Sequence, residues 1–272
     1  MSYQASISGA GLGLRRSLLQ SLESMTTDQI QFMEIAPENW IGLGGRLGKK
    51  LRSYTERFPF VCHGLSLSIG SPSPLNIEFL KDVKHFMQEH GIVYYSEHLS
   101  YSSDEGQLYD LLPIPFTEDA VNYVAERIIQ AQDILGQRIA IENASYYCAP
   151  QQEMSESEFI NAVVKKADCA LLLDVNNIYV NSINHQYNAE EFLRSLPGDR
   201  TAYMHIAGHY VEAEDLRVDT HGADVIPDVW QLLKLAYKEF GVKPTLLERD
   251  FNIPPVNELM TEINLIRQSQ TL

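Results

Sequence analysis

The sequence predicts a (β/α)₈ barrel, and three observations lead there. Short apolar or β-branched runs alternate eight times with longer amphipathic segments, which calls for parallel strands each returned by a helix. Closing eight strands into a barrel leaves no exposed edge, unlike the competing open, doubly wound sheet. The length of 272 residues, with 44% apolar and 21% charged residues, suits one barrel, so residues 1–272 are expected to form a single domain.

In chain order the expected strands are ASISGA (5–10), QFMEIA (31–36), FVCHG (60–64), IVYYSEH (92–98), RIAIEN (138–143), CALLLDV (169–175), AYMHIA (202–207) and PTLLER (244–249). The clearest helical segments are IEFLKDVKHFMQEHG, TEDAVNYVAERIIQAQDILG, SESEFINAVVKKA, DVWQLLKLAYKEFG and VNELMTEINLIRQ. Gly91, Gly136 and Gly241 stand just past helix ends, and Thr117 and Ser155 are expected N-caps. The longest irregular stretches, 99–116, 176–189 and 207–227, each follow a strand, where a barrel builds its active-site loops. Neither GAGLGLR nor GLGGRLG matches a phosphate loop. The glycines of GAGLGLR are expected to allow close backbone approach at the barrel mouth.

Composition excludes several classes of function. Cys62, Cys148 and Cys169 form no CxxC pair, which argues against a disulfide framework or a thiolate zinc site. All three are expected to be structural. The net charge of −15 opposes a phosphate backbone, so no nucleic acid is expected as partner. No apolar run reaches the ~18 residues of a membrane span. The start, MSYQASISGAG, lacks the basic and apolar regions of a signal peptide. The chain is therefore expected in the cytoplasm, away from membranes.

The chemistry is positional. Six strands end in a metal-capable residue: His63, His98, Glu142, Asp174, His205 and Glu248. Each lies two residues beyond an apolar or small one (Val61, Ser96, Ala140, Leu172, Tyr203, Leu246), so the pleat aims both inward. Any one alone reads as a hydrogen-bonded polar group at a strand end. Six converging on one mouth would repel or desolvate one another at great cost unless cations sit among them. Strand seven runs on to His209, the next loop carries Asp219 and His221 at D-x-H spacing, and Asn177 follows strand six. These ten candidate ligands are too many for one ion and suit two or three with bridging carboxylates. An imidazole and carboxylate set without thiolate fits iron, manganese or zinc.

The other residues read more plainly. His85 and His90 belong to a helix surface, and His185 to a polar loop. Cys62 points away from His63 and is expected to pack. Glu34 is either a support for a ligand or a structural acid; Asn39 lines the cleft, and Trp40 lines it or caps the barrel; Tyr101 and Tyr109 are candidate substrate contacts.

Together GAGLGLR, EIAPENW, C-H-G, SEHLS, IEN, LLLDVNNIYVN, H-I-A-G-H, D-T-H and LLERD resemble the multinuclear non-heme iron-dependent oxidative enzymes, the MbnB/TglH-like family with a xylose-isomerase-like TIM barrel. The resemblance runs from Gly9 to about Asp250. It implies two or three irons (Fe2+/Fe3+), with manganese or zinc as substitutes, and O₂-dependent modification of a ribosomally made precursor peptide, commonly at cysteine. It further implies that His63, His98, Glu142, Asp174, His205 and Glu248 hold two irons and Asn177, His209, Asp219 and His221 a third. Glu142 and Asp174 would bridge, and these two with His205 form the catalytic centre. Members commonly work with a peptide-binding partner protein.

Three other readings compete. The ligand order also resembles the tri-zinc hydrolase endonuclease IV, though Asn177 stands where that enzyme has histidine, and 36 acidic against 21 basic residues leave no evident DNA-binding stripe. A sugar isomerase of the xylose-isomerase-like superfamily is the second, and a metal-storing or partner-binding barrel the third.

Overall fold

In this computed structural model the described residues are 7–104, 106–148 and 151–271. Eight parallel strands close into a barrel: β1 (Ala10–Gly13), β2 (Phe32–Ile35), β3 (Phe60–Gly64), β4 (Tyr94–His98), β5 (Ala140–Glu142), β6 (Ala170–Asp174), β7 (Thr201–Ile206) and β8 (Thr245–Leu247). Each strand pairs with its neighbours in sequence, and β1 pairs with β8 to close the ring. Outside lie α1 (Gly45–Thr55), α2 (Ile77–His90), α3 (Glu118–Leu135), α4 (Glu156–Ala167), α5 (Val175–Asn184), α6 (Ala189–Ser195), α7 (Pro227–Phe240) and α8 (Val256–Ser269). No helix of the described residues is long and apolar enough to cross a membrane.

The core has two compartments. Between strands and helices sits a large apolar layer that includes Cys62 and Cys169, both buried there as packing residues. Inside the barrel sits a small one of Phe32, Val61, Ala140, Ala170, Leu172, Tyr203 and Leu246. Five of these are the residues expected two positions before the polar strand ends, so the pleat argument holds strand by strand. The sixth, Ser96, is buried between Tyr203 and His63.

Local sequence explains most boundaries. The Thr117 side chain accepts from Ala120 N, and Ser155 forms a reciprocal capping box with Glu158. Gly91 and Gly136 end α2 and α3 in the left-handed conformation, but Gly241 has positive φ with extended ψ and ends α7 differently.

Several expectations are corrected. Strand one begins at Ala10 rather than residue 5, and residues 5 and 6 lie outside the described ones. Its Gly11 is needed inside the barrel, not at the mouth, because the Phe32 ring lies 2.5 Å from where a Cβ would stand. The β1–β2 connection carries a short 3₁₀ turn (Arg16–Leu18) in place of an α-helix. Stretch 176–189 is mostly helical: the Asp174 side chain accepts from Asn177 N and starts α5 at once. Stretches 99–116 and 207–227 each hold a two-stranded hairpin, Tyr101–Ser103 with Gln107–Leu112 and Tyr210–Ala213 with Leu216–Val218. Cys148 is exposed rather than structural.

Candidate metal centre

The polar strand ends meet at one mouth. His63 Nε2 lies 2.9 Å from Glu142 Oε2 and 3.1 Å from His98 Nε2, which is itself 3.3 Å from Glu142 Oε2. His205 Nδ1 lies 3.0 Å from Glu248 Oε2 and 3.8 Å from Glu142 Oε1. The amide of Asn177 donates to Glu142 Oε1 at 3.2 Å. Donor atoms of Glu142, Asp174, His205 and Glu248 all fall within 4.8 Å of one another, as do those of His63, Glu142 and His205. His221 Nε2 faces Asp219 Oδ1 at 2.7 Å and its Nδ1 lies 3.6 Å from Glu248, joining the D-x-H pair to the cluster. His209 sits further back. Its Nδ1 donates to Asn176 Oδ1, whose amide donates to Asp219. Gly208 makes this turn possible, since a Cβ there would lie 2.1 Å from the Ala223 carbonyl oxygen.

Each histidine is held by one nitrogen and aimed by the other. Ser96 Oγ bonds His63 Nδ1, the Gly64 carbonyl accepts from His98 Nδ1, Glu34 accepts from His205 Nε2, and Asp250 accepts from His221 Nδ1. Such partners fix ring orientation and tautomer at a metal site. Glu34 is thus a support for a ligand, and Tyr203 OH also donates to it at 2.9 Å. Asn143, from the IEN motif, holds Asp174 by two bonds to its backbone.

The atoms left over are the diagnostic ones. Glu142 Oε2, Asp174 Oδ2, Asn177 Oδ1, His205 Nδ1, His209 Nε2, His221 Nε2 and Glu248 Oε2 are buried without a well-aligned hydrogen bond among the described residues, although Glu142 Oε2 faces His63 at 2.9 Å, His205 Nδ1 and Glu248 Oε2 face each other at 3.0 Å, and His221 Nε2 faces Asp219 at 2.7 Å. Buried polar atoms are otherwise satisfied almost everywhere in proteins. Asp174 Oδ2, Asn177 Oδ1 and His209 Nε2 thus have no partner, and the other four atoms face only another expected ligand, which fits a group that accepts lone pairs from nitrogen and oxygen.

Electrostatics say the same. Burial, joined by Glu142 and Asp219, pushes the Asp174 carboxyl well above its ordinary range. Burial also pushes Glu142 up to about 7, against the pull of His98 and His205. Burial lowers the pKa of His63 and of His98. It works against charge on His205 too, but Glu34 and Glu248 outweigh it and raise that imidazole well above the usual range. Protein alone therefore settles the crowding by sharing protons. Cations would settle it by charge.

Two residues of the centre were missed in the sequence. Asp250 accepts from His221 and pairs with Arg15; Arg15 also approaches Glu248 at 3.6 Å. Spacing was the available signal for Asp250, two residues beyond Glu248. Above the cluster opens a cavity of about 470 Å³, lined by Arg15, Asn39 and the ligands below, with Leu65, Leu108, Leu111 and Phe251 at its lip. Trp40 is buried beside the cavity rather than in it, and Tyr101 packs toward the outer core. The Tyr109 side chain lies outside the described ones. His85 is exposed; His90 is half-buried against Thr55; His185 stacks on Tyr146 and bonds its carbonyl.

Comparison with known proteins adds a family. The model described as "RiPP precursor modification enzyme MbnB/TglH/ChrH" matches residues 9–271. A protein of Shewanella sediminis named UPF0276 protein is 60% identical over 270 residues, covering 99% of this chain and 96% of its own length. One from Pseudomonas aeruginosa is 51% identical over 264 residues, covering 97% and 93%. Among solved structures, 3-keto-D-glucoside 4-epimerase from E. coli aligns with a TM-score of 0.63 at 12% identity, covering 95% of this chain and 98% of that one. Endonuclease IV from Thermus thermophilus aligns at 0.60 and 15% identity, covering 97% and 100%. At those identities the likeness shows the fold, a xylose-isomerase-like TIM barrel, and no more.

Proposed function

This chain belongs to the MbnB/TglH/ChrH family of enzymes that modify ribosomally made precursor peptides, and from that premise we propose a multinuclear iron-dependent oxidative enzyme that uses O₂ to modify its peptide at cysteine. One observation supports the metal part most directly: seven expected ligands each hold a buried nitrogen or oxygen that either has no partner or faces only another expected ligand. In this reading residues 1–272 act as one barrel domain. His63, His98, Glu142, Asp174, His205 and Glu248 would hold two irons, and Asn177, His209, Asp219 and His221 would hold a third. Glu142 touches the most partners and is the natural bridge, with Asp174 and His205 completing the catalytic centre.

Bound iron would supply a redox-active centre with open positions for a substrate thiolate and O₂. The chain's own residues do the rest. Ser96, Gly64, Glu34 and Asp250 keep four imidazoles aimed inward. The Arg15 guanidinium holds Asp250 in place. The apolar lip of Leu65, Leu108 and Phe251 can receive a peptide side chain and cover the centre from water. A peptide-binding partner protein fits the same scheme.

The test is anaerobic purification after iron-replete expression, metal analysis, Mössbauer spectroscopy, and mass spectrometry of a cysteine-containing precursor peptide with and without O₂. Two or three coupled irons and an O₂-dependent mass change are expected. Zinc alone, with cleavage of abasic-site DNA, would overturn the reading in favour of a hydrolase. His63→Ala should lose metal while the barrel still folds.

A further inference from the structure

The protein is acidic almost everywhere, and the exception is local. Helix α1 carries Arg46, Lys49, Lys50 and Arg52 and no acidic residue. Among the described residues no other α-helix has more basic than acidic side chains. Leu51 and Tyr54 bury one face of α1, leaving Arg46, Lys49 and Ser53 exposed on the other. Lys50 pairs with Glu23 and Arg52 with Glu89. Arg46 and Lys49 have no ion pair among the described residues. Nor does Arg16, which donates to the Asn39 carbonyl and lies over the Trp40 ring, 5.5 Å from its centroid.

Of these charges, Arg16 stands beside the metal cavity. A side cavity of about 200 Å³, lined by Arg15, Arg16 and Trp40, shares Arg15, Ala36 and Asn39 with it. From Trp40 the chain runs through loop 41–44 straight into α1. The first hairpin, which lines that cavity, carries Asp110, and the second carries Glu212, Glu214 and Asp215 against the single Arg217. Arg16 thus sets a cation on one side of the mouth and Asp110 an acid on another.

We propose that Arg16 and the outer face of α1 dock an acidic segment of the polypeptide whose modified residue enters the metal cavity. This rests on the peptide reading above, and adds which stretch of the substrate is gripped and where. An acidic segment is attracted to α1 and repelled by the hairpins, so charge sets the direction in which the peptide crosses the mouth. A nucleic acid needs many clustered cations along its phosphates, more than Arg16, Arg46 and Lys49 supply, whereas a short acidic segment needs only a few.

The experiment uses a short fluorescein-labelled peptide rich in Asp and Glu, with Ser/Gly-rich and Lys-rich peptides of equal length beside it, read by anisotropy on the full chain at low and physiological salt. The acidic peptide should bind preferentially, and more weakly as salt rises. Arg46→Glu with Lys49→Glu should weaken it about tenfold or more. The same charge reversal at the exposed Lys165 and Lys166 of α4 should change it less than about twofold. Arg46→Gln with Lys49→Gln gives the milder version should the reversal perturb folding, with circular dichroism checking all variants. Equal weakening by the α4 pair, no preference for the acidic peptide, or tighter capture of duplex DNA or phosphatidylserine vesicles through α1 would overturn the proposal. The readout needs neither iron nor turnover. Acidic-peptide binding without O₂-dependent modification would fail the enzyme reading alone, and the reverse result would fail only this inference.

Discussion

Two layers inside the barrel, one pleat apart on the same strands, are built on opposite principles. The lower, with Val61, Ala140, Leu172 and Leu246, is apolar and dry and is held by burial. The upper, with His63, Glu142, Asp174 and Glu248, is equally buried but crowded with charge and unpaired donors. Tyr203 is the seam, its ring in the lower layer and its hydroxyl bonded to Glu34 and Ser96. The lesson is that depth alone does not stabilise. The lower layer is settled by packing, whereas the upper is settled in the protein alone by shared protons.

That contrast can be broken at several strengths. The largest effect should come from metal. Adding ferrous iron without oxygen should raise unfolding stability by about 4 kcal/mol when free iron is ~1000-fold above its Kd. Thermal melts with and without chelator measure this, and His63→Ala should abolish the rise while leaving the metal-free melt close to wild type. Next, Leu172→Ala should cost about 3 kcal/mol in both metal-free and loaded protein, because it empties the lower layer only. Denaturant melts with parallel metal analysis would contradict the contrast if iron content per folded chain also fell.

A pH series sharpens the point with a group outside the centre. Burial pushes Glu156 from 4.5 to about 8, against the lowering by its bonds from Tyr146 and Asn181. Between those values the folded chain keeps a proton that the unfolded chain has released, so stability falls as pH rises through the window and is fully present below 4.5. Glu156→Gln should flatten the slope of urea-melt stability there, in metal-free and loaded protein alike. Smallest is Tyr203→Phe, worth about 1 kcal/mol through the lost hydroxyl bonds. It should also loosen iron, read by competition with a chelator, since Glu34 then holds His205 with less support.

Legibility in the sequence follows the same divide. Six of the eight strands could be read because inward residues alternate with strand-end ligands, a period-two signal that survives in one chain. Strand β1 was misplaced because AGLG is set by its neighbours, with the Phe32 ring over Gly11, and not by propensity. Helix α1 begins in a glycine-rich loop, and α5 is rich in asparagine; both take shape from packing and, for α5, from the Asp174 cap. Six candidate ligands stood out at strand ends, and Asn177, His209, Asp219 and His221 stood out by chemical type in the segments that follow. Arg15 and Asp250 did not, because they meet only where β1 closes on β8, a contact between opposite ends of the chain. Ser96 was read as a small inward residue, and its bond to His63 needed the third dimension.

The central claim is that cations complete the upper layer, and diffraction from anaerobically grown crystals at the iron absorption edge tests it most directly. Two or three anomalous peaks should lie among Glu142, Asp174, His205, Glu248 and His221. Well-ordered side chains at that mouth with no anomalous peak between them would contradict the account.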